Sequence, residues 1–403
     1  MTNRDFRNQL CAAIGLLTLL TGVECIAASE SQNVVKIHYL SQEQDQYYAR
    51  ERAYAGLDIK KPERPLPGVK TGLAESRIRG RALNLAFELV EVVVPVDTPA
   101  ENILAPLLLE DQTGFVVVDL PREQMLSVVQ HFSTHNVLFF NARLSDDDLR
   151  GEYCAEKLFH TIPSYAMLQD ALAQFLRKKN WTRILLLQGP LPDDQAIATS
   201  FERAAIKMGL KIVEKREFLL SNNPKDRSQS NVQLMTAGFR YDAVYVSDSY
   251  GEFSRYVPYQ TNDSRLVIGS DGLIPSAWHW TWERYGAPQL NQRFKKQTQR
   301  DKMSSGEWAG WAAIKSLVTA IVKTGSTNFT ILHQYLTSAE MSLDLYKGVP
   351  GSFRNWNNQL RQSILLHTYN AVVESAPIDG FLHKTNNLDT LGIDQDESVC
   401  KFK

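Results

Sequence analysis

From residue 34 onward, short apolar runs alternate with amphipathic segments, and this order limits the possible folds more than any other feature of the chain. Near-continuous Val/Ile/Leu runs are typical of strands in parallel sheets that helices cover on both faces. Strands that are joined through helices form right-handed βαβ units. The first series of this kind has predicted strands at 34–40, 83–94, 114–119 and 136–141.

A second series follows the irregular stretch 142–163 and repeats the same rhythm. A chain of 403 residues is too long for one compact core. We therefore predict an α/β protein with two doubly wound lobes, each built on a parallel sheet. The second lobe has predicted strands at 183–188, 241–248 and 265–272.

The chain after residue 272 is predicted to return to both lobes. Residues 285–338 have the apolar spacing of helices, and Gly325 is expected to end one of them. Residues 362–375 have the pattern of strands that would rejoin one of the two sheets. The chain is therefore expected to cross between the lobes more than once.

The amino terminus has the pattern of a secretory signal peptide. Arg4 and Arg7 precede the apolar run 10–23, and the small residues at 25–29 suit a cleavage site. We expect residues 1–28 to be removed and the mature chain to be exported. Because the net charge is only −1 and both signs are mixed along the chain, a nucleic-acid partner is not expected.

Two cysteines, Cys154 and Cys400, would remain after this cleavage. In an oxidising compartment they can form one disulfide bond, and the alternative is two separate free thiols. The chain contains no Cys-x-x-Cys motif, so redox catalysis is not favoured.

The sequence contains none of the common catalytic motifs. A nucleophile elbow, a Walker A loop, a HExxH motif and a GxGxxG loop after the first strand are all missing. His131 and His135 have a spacing that could hold a metal on a helix, but a solvated helix end is the alternative that we favour. His160 and His279 have no nearby ligand residues at metal spacing. We therefore expect neither an enzyme nor a cofactor.

Residues 159–189, which read FHTIPSYAMLQDALAQFLRKKNWTRILLLQG, resemble the start of the second lobe in type I periplasmic binding proteins of the branched-chain amino acid receptor class. Four later stretches, 272–294, 308–318, 353–366 and 380–398, resemble the solute-binding proteins that accompany PQQ-dependent alcohol dehydrogenase systems in bacteria. The resemblance as a whole extends over about residues 33–400.

The resemblance implies the type I periplasmic binding protein fold. Its first lobe would contain 33–155 and 272–342, and its second lobe 156–271 and 343–400. A small molecule would bind between these lobes and stabilise the form in which they are closed.

The resemblance also implies the role and partners of the chain. It would be a monomeric, periplasmic solute receptor with an ABC transporter permease as its partner. Its ligand could be PQQ or another compound of alcohol oxidation. The alternatives are a non-transport accessory or sensor protein of a quinoprotein dehydrogenase system, and a hydrolase or lyase on the same scaffold.

Polar residues at the carboxyl ends of the predicted strands are the candidate ligand-binding residues, because these ends face the ligand crevice in parallel α/β sheets. Each of them has the alternative role of a helix cap or a loop residue. Arg143 could pair with a ligand carboxylate or be an exposed loop arginine, and no Ser-Thr pair typical of amino-acid receptors accompanies it. The candidates are Gln42, Asp45, Asp119, Asn141, Arg143, Gln188, Asp248, Ser249 and Asp271.

The stretch PSAWHWTWERYGAP contains three tryptophans and a histidine within five positions. If it is helical, Trp278 and Trp282 share one face and pack inward. Trp280 and His279 would then point elsewhere, and the Trp280 ring could stack on a planar ligand in the cleft.

Overall fold

The computed structural model describes residues 32–48, 62–109, 113–221 and 223–402. From Asn33 onward the chain forms one compact unit. The predicted signal peptide, 1–28, lies outside the described residues. Among the described helices, none has the length and hydrophobicity to cross a membrane.

The first sheet is parallel and has the strand order β2-β1-β3-β4-β5. Its strands β3 and β4 are buried at every residue, as expected for central strands that are covered on both faces. The stretch before the second series, predicted to be irregular, contributes the fifth strand. The elements are β1 (Asn33–Gln42), α1 (Leu66–Arg81), β2 (Leu85–Val94), α2 (Ala100–Leu108), β3 (Gly114–Asp119), α3 (Arg122–His131), β4 (Val137–Asn141) and β5 (Leu158–His160).

The second sheet is also parallel and has the order β7-β6-β8-β9. The prediction of two sets of parallel strands is therefore confirmed. The elements are α4 (Tyr165–Lys178), β6 (Arg183–Gln188), α5 (Pro192–Lys207), β7 (Lys211–Glu217), α6 (Arg227–Ser230), α7 (Val232–Thr236), β8 (Ala243–Ser247), α8 (Val257–Gln260) and β9 (Leu266–Gly269).

The later elements differ from the prediction in one respect. Residues 362–375 do not rejoin a parallel sheet, because β13 and β14 pair with β10 in an antiparallel sheet of their own. The short connection between β13 and β14 allows only antiparallel pairing, since parallel neighbours need a long crossover. The elements are β10 (Ile274–Ser276), α9 (Ala287–Thr298), α10 (Ser305–Thr324), α11 (Phe329–Leu336), β11 (Ser352–Phe353), β12 (Leu360–Arg361), β13 (Ile364–His367) and β14 (Val372–Ala376).

Each parallel sheet has an apolar cluster on both of its faces. In the first sheet, alternate residues of β3 divide between two clusters, so that Phe115 and Val117 lie in one and Val116 and Val118 in the other. The second sheet is covered in the same way by two further clusters. We call the cluster of the first sheet with α9, α10 and α11 the first core, and the cluster of the second sheet with α4 and β13 the second core.

Helices α1 and α10 pack closely, and their contact fixes where α10 begins. A Cβ atom on Gly68 would lie 1.6 Å from the carbonyl oxygen of Glu307, so this approach requires glycine. Ser304 and Glu307 form a capping box, in which Ser304 Oγ accepts from the Glu307 amide at 3.3 Å and Glu307 Oε2 accepts from the Ser304 amide at 2.7 Å. The first turn of α10 therefore lies beside the segment that leads into α1.

A disulfide bond joins Cys154 and Cys400, with an S–S distance of 2.04 Å and a sequence separation of 246. It ties the C-terminal segment to the chain just before β5. In the chain-entropy account, a crosslink over such a distance stabilises the fold by restricting the unfolded chain.

Candidate functional site

A cavity of about 320 Å³ lies at the carboxyl edge of the first sheet. Its walls include Ile162, which belongs to the first core, and Leu168, which packs against the second core. We call it the cleft cavity. Its lining consists of Tyr47, Tyr48, Pro62, Glu63, Pro65, Ala142, Arg143, Ser145, Ile162, Pro163, Leu168, Pro275, Ser276, Ala277, Ser304, Ser305 and Gly306.

Asp119, the last residue of β3, is fully buried behind this cavity. Neighbouring parallel strands end at the same edge of the sheet, and Asp119 is in register with Ser41 of β1. Its Oδ2 atom accepts hydrogen bonds from the Tyr39 hydroxyl at 2.5 Å and from Arg64 Nη1 at 2.9 Å. Its Oδ1 atom accepts from the Tyr48 hydroxyl at 2.5 Å.

Burial raises the pKa of Asp119, while Arg143, the two tyrosine hydroxyls and Arg64 oppose this increase. Burial together with the nearby Asp119 raises the pKa of both Tyr39 and Tyr48, so that both phenols stay protonated and can donate. Among the described residues, the Asp119 cluster is thus a carboxylate held by side-chain donors from distant parts of the chain.

Arg143 lines the cleft cavity, but its guanidinium is paired within the protein. Asp45 binds it through both oxygens, with 3.2 Å between Nη2 and Oδ1, and Asp119 Oδ1 lies 3.8 Å from Nη1. The side chains of Arg143 and Asp45 are only 7% and 3% exposed. Of the two predicted roles, the exposed loop arginine is therefore wrong, and the guanidinium lies against an internal carboxylate.

Asn141, at the end of β4, has its amide group committed to the loop that follows. Its Oδ1 accepts from the amides of Arg143 and Leu144 at 3.0 and 2.9 Å, and its Nδ2 donates to the Leu144 carbonyl at 2.8 Å. The same Nδ2 lies 3.0 Å from His160 Nδ1. Asn141 thus shapes the loop that carries Arg143, and it does not line the cleft cavity.

Gln42, the last residue of β1, supports the cluster through its backbone. Its carbonyl accepts from Arg64 Nη2 at 3.0 Å, while its own Oε1 is buried without a hydrogen-bond partner among the described residues. The structure therefore brings all five candidates of the first sheet to one edge. Only Arg143 among them lines the cleft cavity.

Asp248, a candidate of the second sheet, lines another cavity, of about 370 Å³. Asp248 accepts hydrogen bonds from the amides of Gly251, Phe253 and Ser254 at 2.8 to 2.9 Å. The Ser249 amide donates to Asp194 Oδ1 at 2.6 Å. These contacts order the loop after β8.

The two remaining non-aromatic candidates also lie apart from the cleft cavity. Gln188 is buried at the end of β6. Asp271 accepts from the Gly272 amide at 2.7 Å in the connection between β9 and β10. No candidate of the second sheet, and not Asp271, lines the cleft cavity.

The tryptophan stretch forms a turn, so the helical expectation for Trp278–Trp282 is wrong. Trp278 and Trp282 are nevertheless both buried in the first core, where Trp278 Nε1 donates to Asn291 Oδ1 and Trp282 Nε1 donates to the Tyr346 carbonyl. The Trp280 ring lies outside the cleft cavity, with Lys302 Nζ 4.6 Å from its centroid. The Trp278 ring lies 6.2 Å from that of Trp308, in a stacked arrangement in the first core.

The histidines do not form a metal centre in the described part of the chain, where no group of three or more His, Cys, Asp or Glu side chains could hold an ion. His131 is the last residue of α3, and both it and His135 are exposed. The His279 ring stacks on His367 at 4.0 Å. Burial and the nearby His367 and Lys302 lower the pKa of His279 to about 4.

Several residues of the cleft cavity were missing from the sequence-based prediction. Tyr47 and Tyr48 lie in a polar segment without periodicity, so nothing local indicated that both would line the cavity or that Tyr48 would bind Asp119. Arg64, which also binds Asp119, lies in a proline-rich segment that gave no such signal either. The capping role of Ser304 could have been predicted from the sequence, because Ser-x-x-Glu before an apolar run is a capping-box pattern. The beginning of α10 could therefore have been predicted, although its position beside the cavity could not.

Comparison with protein-family models found no match, and no curated protein matches the chain. Solved structures do match. A leucine-, isoleucine-, valine-, threonine- and alanine-binding protein from Brucella ovis has a TM-score of 0.66 and 15% identity over 92% of this chain and 99% of that one.

Two further structures show the same likeness. A branched-chain amino acid ABC transporter periplasmic ligand-binding protein from Burkholderia xenovorans has a TM-score of 0.66 and 14% identity, over 85% of this chain and 95% of that one. An ABC transporter solute-binding protein from R. palustris, in complex with benzoate, has a TM-score of 0.61 and 13% identity, over 92% and 100%. The chain has the type I periplasmic binding protein fold, and the predicted fold class is confirmed.

Proposed function

We propose that this chain is the solute-binding protein of an ABC transporter and that it holds one small molecule between two lobes. The observation that carries this proposal is the cleft cavity, whose walls combine residues packed against the first core and the second core. Its volume, about 320 Å³, suits a small organic molecule. The structures with the same fold include one in complex with benzoate and one named for five amino acids.

Closure of the lobes is the proposed mechanism, with 33–155 and 272–342 in one lobe and 156–271 and 343–400 in the other. A ligand that contacts both lobes stabilises the closed form, and no covalent step is involved. The crossing segments contribute Pro163 and Ser276 to the cavity wall, so a ligand would also contact the connections between the lobes.

A buried polar network supports these connections. Arg150 Nε donates to Gln359 Oε1 at 2.8 Å, and Gln359 Nε2 donates to the carbonyls of His160 and Ile162 at 3.2 and 3.1 Å. Gln362 Nε2 donates to the Thr161 carbonyl at 2.9 Å. Buried networks of this kind hold backbone segments in a defined arrangement, which would direct the movement of the lobes to residues outside the network.

We further propose that the receptor belongs to a PQQ-dependent alcohol oxidation system and works in the periplasm as a monomer beside its permease. Support for this link comes from the resemblance of residues 272–294, 308–318, 353–366 and 380–398 to binding proteins of such systems. PQQ and compounds of alcohol oxidation are accordingly the first ligands to examine. Export would depend on the predicted signal peptide, residues 1–28.

Native mass spectrometry of the mature protein, purified without denaturation, tests the proposal directly. We expect a small molecule to be retained, and its addition to the stripped protein to raise the melting temperature. Ser145→Trp, which fills the cleft cavity, should abolish this increase, whereas the control Ser133→Trp on the exposed surface should retain it.

Two results would contradict a receptor role. One is the absence of any retained or stabilising solute, together with co-purification of a quinoprotein dehydrogenase, which would favour the accessory function. The other is turnover of a solute that a single substitution in the cavity abolishes, which would favour an enzyme.

A further inference from the structure

Arg143 is the cationic residue in the described lining of the cleft cavity, and Arg64 and Arg300 are paired with carboxylates at or behind that lining. Arg143 is bound by Asp45, Arg64 is bound by Asp119, and Arg300 lies between Glu63 and Glu307 at 2.8 and 2.7 Å. In the described part of the cavity and its ion pairs, three guanidinium groups therefore face four carboxylates. Among the described residues of the cavity wall, an anionic solute would find no cation that a carboxylate does not already bind, and it would add to their negative excess.

The beginning of α10 is compensated in the same way. A helix N-terminus attracts anions, and Ser304, Ser305 and Gly306 line the cavity at this point. Glu307 already supplies a buried carboxylate there, through the capping box and its contact with Arg300. The positive end of the helix dipole therefore already has a carboxylate of the protein beside it.

The serine hydroxyls of the cavity have a defined polarity. Ser276 and Ser305 both donate to the Trp278 carbonyl, at 3.1 and 3.3 Å, and in this arrangement their oxygen lone pairs are free to accept from a ligand. Ser304 Oγ accepts from the Glu307 amide and its hydrogen remains able to donate, and Ser145 adds a further hydroxyl to the lining. A carboxylate is acceptor-only, so it could bond to Ser276 or Ser305 only by replacing their bonds to the Trp278 carbonyl, whereas an alcohol can donate to them as they stand.

The aromatic faces are also engaged by the protein's own cations. The Arg64 guanidinium lies 4.2 Å from the Tyr48 ring centroid, and that of Arg143 lies 4.7 Å from the Tyr47 centroid. A cationic solute would have to displace these groups to reach the same ring faces. Most of the remaining wall is apolar, from Ala142, Ile162, Pro163 and Leu168.

We infer that the cleft cavity selects an uncharged solute that donates hydrogen bonds from an apolar body, and that it discriminates against carboxylates. This inference rests on the proposed function. Among the ligands proposed above, it favours uncharged alcohols over PQQ, because PQQ carries carboxylates. An uncharged solute would also differ from the ligand of the R. palustris structure, which is benzoate.

Calorimetry with matched pairs tests the selectivity of the wild-type protein. Benzyl alcohol and benzoate share one ring and differ in charge and in hydrogen-bond donation, as do propane-1,2-diol and lactate. We expect the alcohol of at least one pair to bind at least about tenfold more tightly than its carboxylate, which is on the order of 1.4 kcal/mol. Tighter binding of either carboxylate than of its alcohol overturns the inference.

A charge-release variant gives a result even where neither member of a pair binds the wild-type protein. Asp45→Asn frees the Arg143 guanidinium inside the cavity, so benzoate affinity should rise by at least about tenfold. The control Asp301→Asn changes the net charge equally but removes an exposed partner of Lys295, and it should leave benzoate affinity unchanged. Equal benzoate affinity in wild type and Asp45→Asn, whether strong or absent, overturns the inference.

The outcomes separate this inference from the proposed function. If native mass spectrometry finds a bound carboxylate, the receptor role stands and the inference fails. If no solute is retained and none stabilises the protein, the receptor role fails, while the Asp45→Asn comparison still determines whether Arg143 is neutralised by Asp45. Circular dichroism spectra of both variants should match the wild type, so that altered affinity is not attributed to unfolding.

Discussion

The two parallel sheets each carry a buried aspartate at their carboxyl edge, but the aspartates are held in different ways. Asp119 follows the first sheet and is bound by the side chains of Tyr39, Tyr48 and Arg64. Asp248 follows the second sheet and is bound by three backbone amides of the next six residues. The same topology therefore gives one edge built by distant side chains and one built by the local backbone.

This difference bears on what each edge can do. Backbone donors are present whatever the side chains are, so the donors around Asp248 do not depend on which side chains the loop carries. Side-chain donors can be exchanged by single substitutions, and those around Asp119 also line or adjoin the cleft cavity. The cavity beside Asp248 is instead walled largely by apolar residues, which are Pro190, Leu191, Phe218, Leu219 and Leu220. We therefore expect solute selectivity to depend on the first edge.

The largest effect is expected from Asp119→Ala. It leaves Arg64 and two tyrosine hydroxyls without their common acceptor in a buried site, which should lower the free energy of unfolding by about 3–5 kcal/mol. Asp119→Asn retains one acceptor oxygen and should cost less. Urea unfolding of the three proteins measures the difference, and an unchanged midpoint for Asp119→Ala would contradict the role given to this carboxylate.

Asp248→Ala should have the next largest effect. Three amides lose their acceptor, and at about 1 kcal/mol each the loss is about 3 kcal/mol. Because the loss is local, hydrogen exchange should accelerate at Gly251, Phe253 and Ser254 while the amides around Asp119 keep their protection. Loss of protection at both edges would show that they unfold as one unit and would remove the distinction between them.

The surroundings of Asp248 at the second edge were easier to predict from the sequence than those of Asp119 at the first edge. A strand followed by Asp-Ser is a local signal, and a loop role for Asp248 was the predicted alternative to ligand binding. The Asp119 cluster joins residues 80, 71 and 55 positions apart, so only the folded sheet brings them together. The alternation of apolar runs predicted the parallel strands, because that pattern is set by burial within each strand.

The connections were harder to predict than the strands. Residues 362–375 were correctly assigned as strands, but their partner, β10, is a three-residue strand without a recognisable pattern of its own. Trp278 and Trp282 are buried as expected, yet through hydrogen bonds to Asn291 and Tyr346 that only the tertiary structure supplies. Short strands and turns carry too few residues for periodicity to identify them.

Acid pH should lower the free energy of unfolding through His160, a buried residue at the first edge that is bonded to Asn141. Burial and the charge of Arg150 hold the pKa of His160 well below 6.5 in the folded protein. The unfolded chain therefore binds a proton near pH 6.5 while the folded chain does not, and stability falls as the pH decreases below about 6.5.

The expected contribution is at most about 1.4 kcal/mol per pH unit between pH 6.5 and 5.5. His160→Gln should flatten the profile of unfolding free energy over this range. His131→Gln, on the exposed end of α3, should leave the profile parallel to the wild type. If the profile of His160→Gln is parallel to that of the wild type, His160 does not contribute to the pH dependence of the unfolding free energy.

The smallest effect, and the sharpest comparison within the first edge, comes from the two tyrosines that bind Asp119. Tyr48→Phe removes the hydroxyl donor to Oδ1 and should cost about 1 kcal/mol in urea unfolding. Tyr39→Phe removes a donor to Oδ2, which keeps Arg64 as a second donor, so its cost should be smaller. Only Tyr48 lines the cleft cavity, so Tyr48→Phe alone should change solute affinity, measured by calorimetry with the retained solute or benzyl alcohol. Equal changes in affinity for both variants would mean that the Asp119 cluster acts on the cavity as a whole, and not through the residue at its wall.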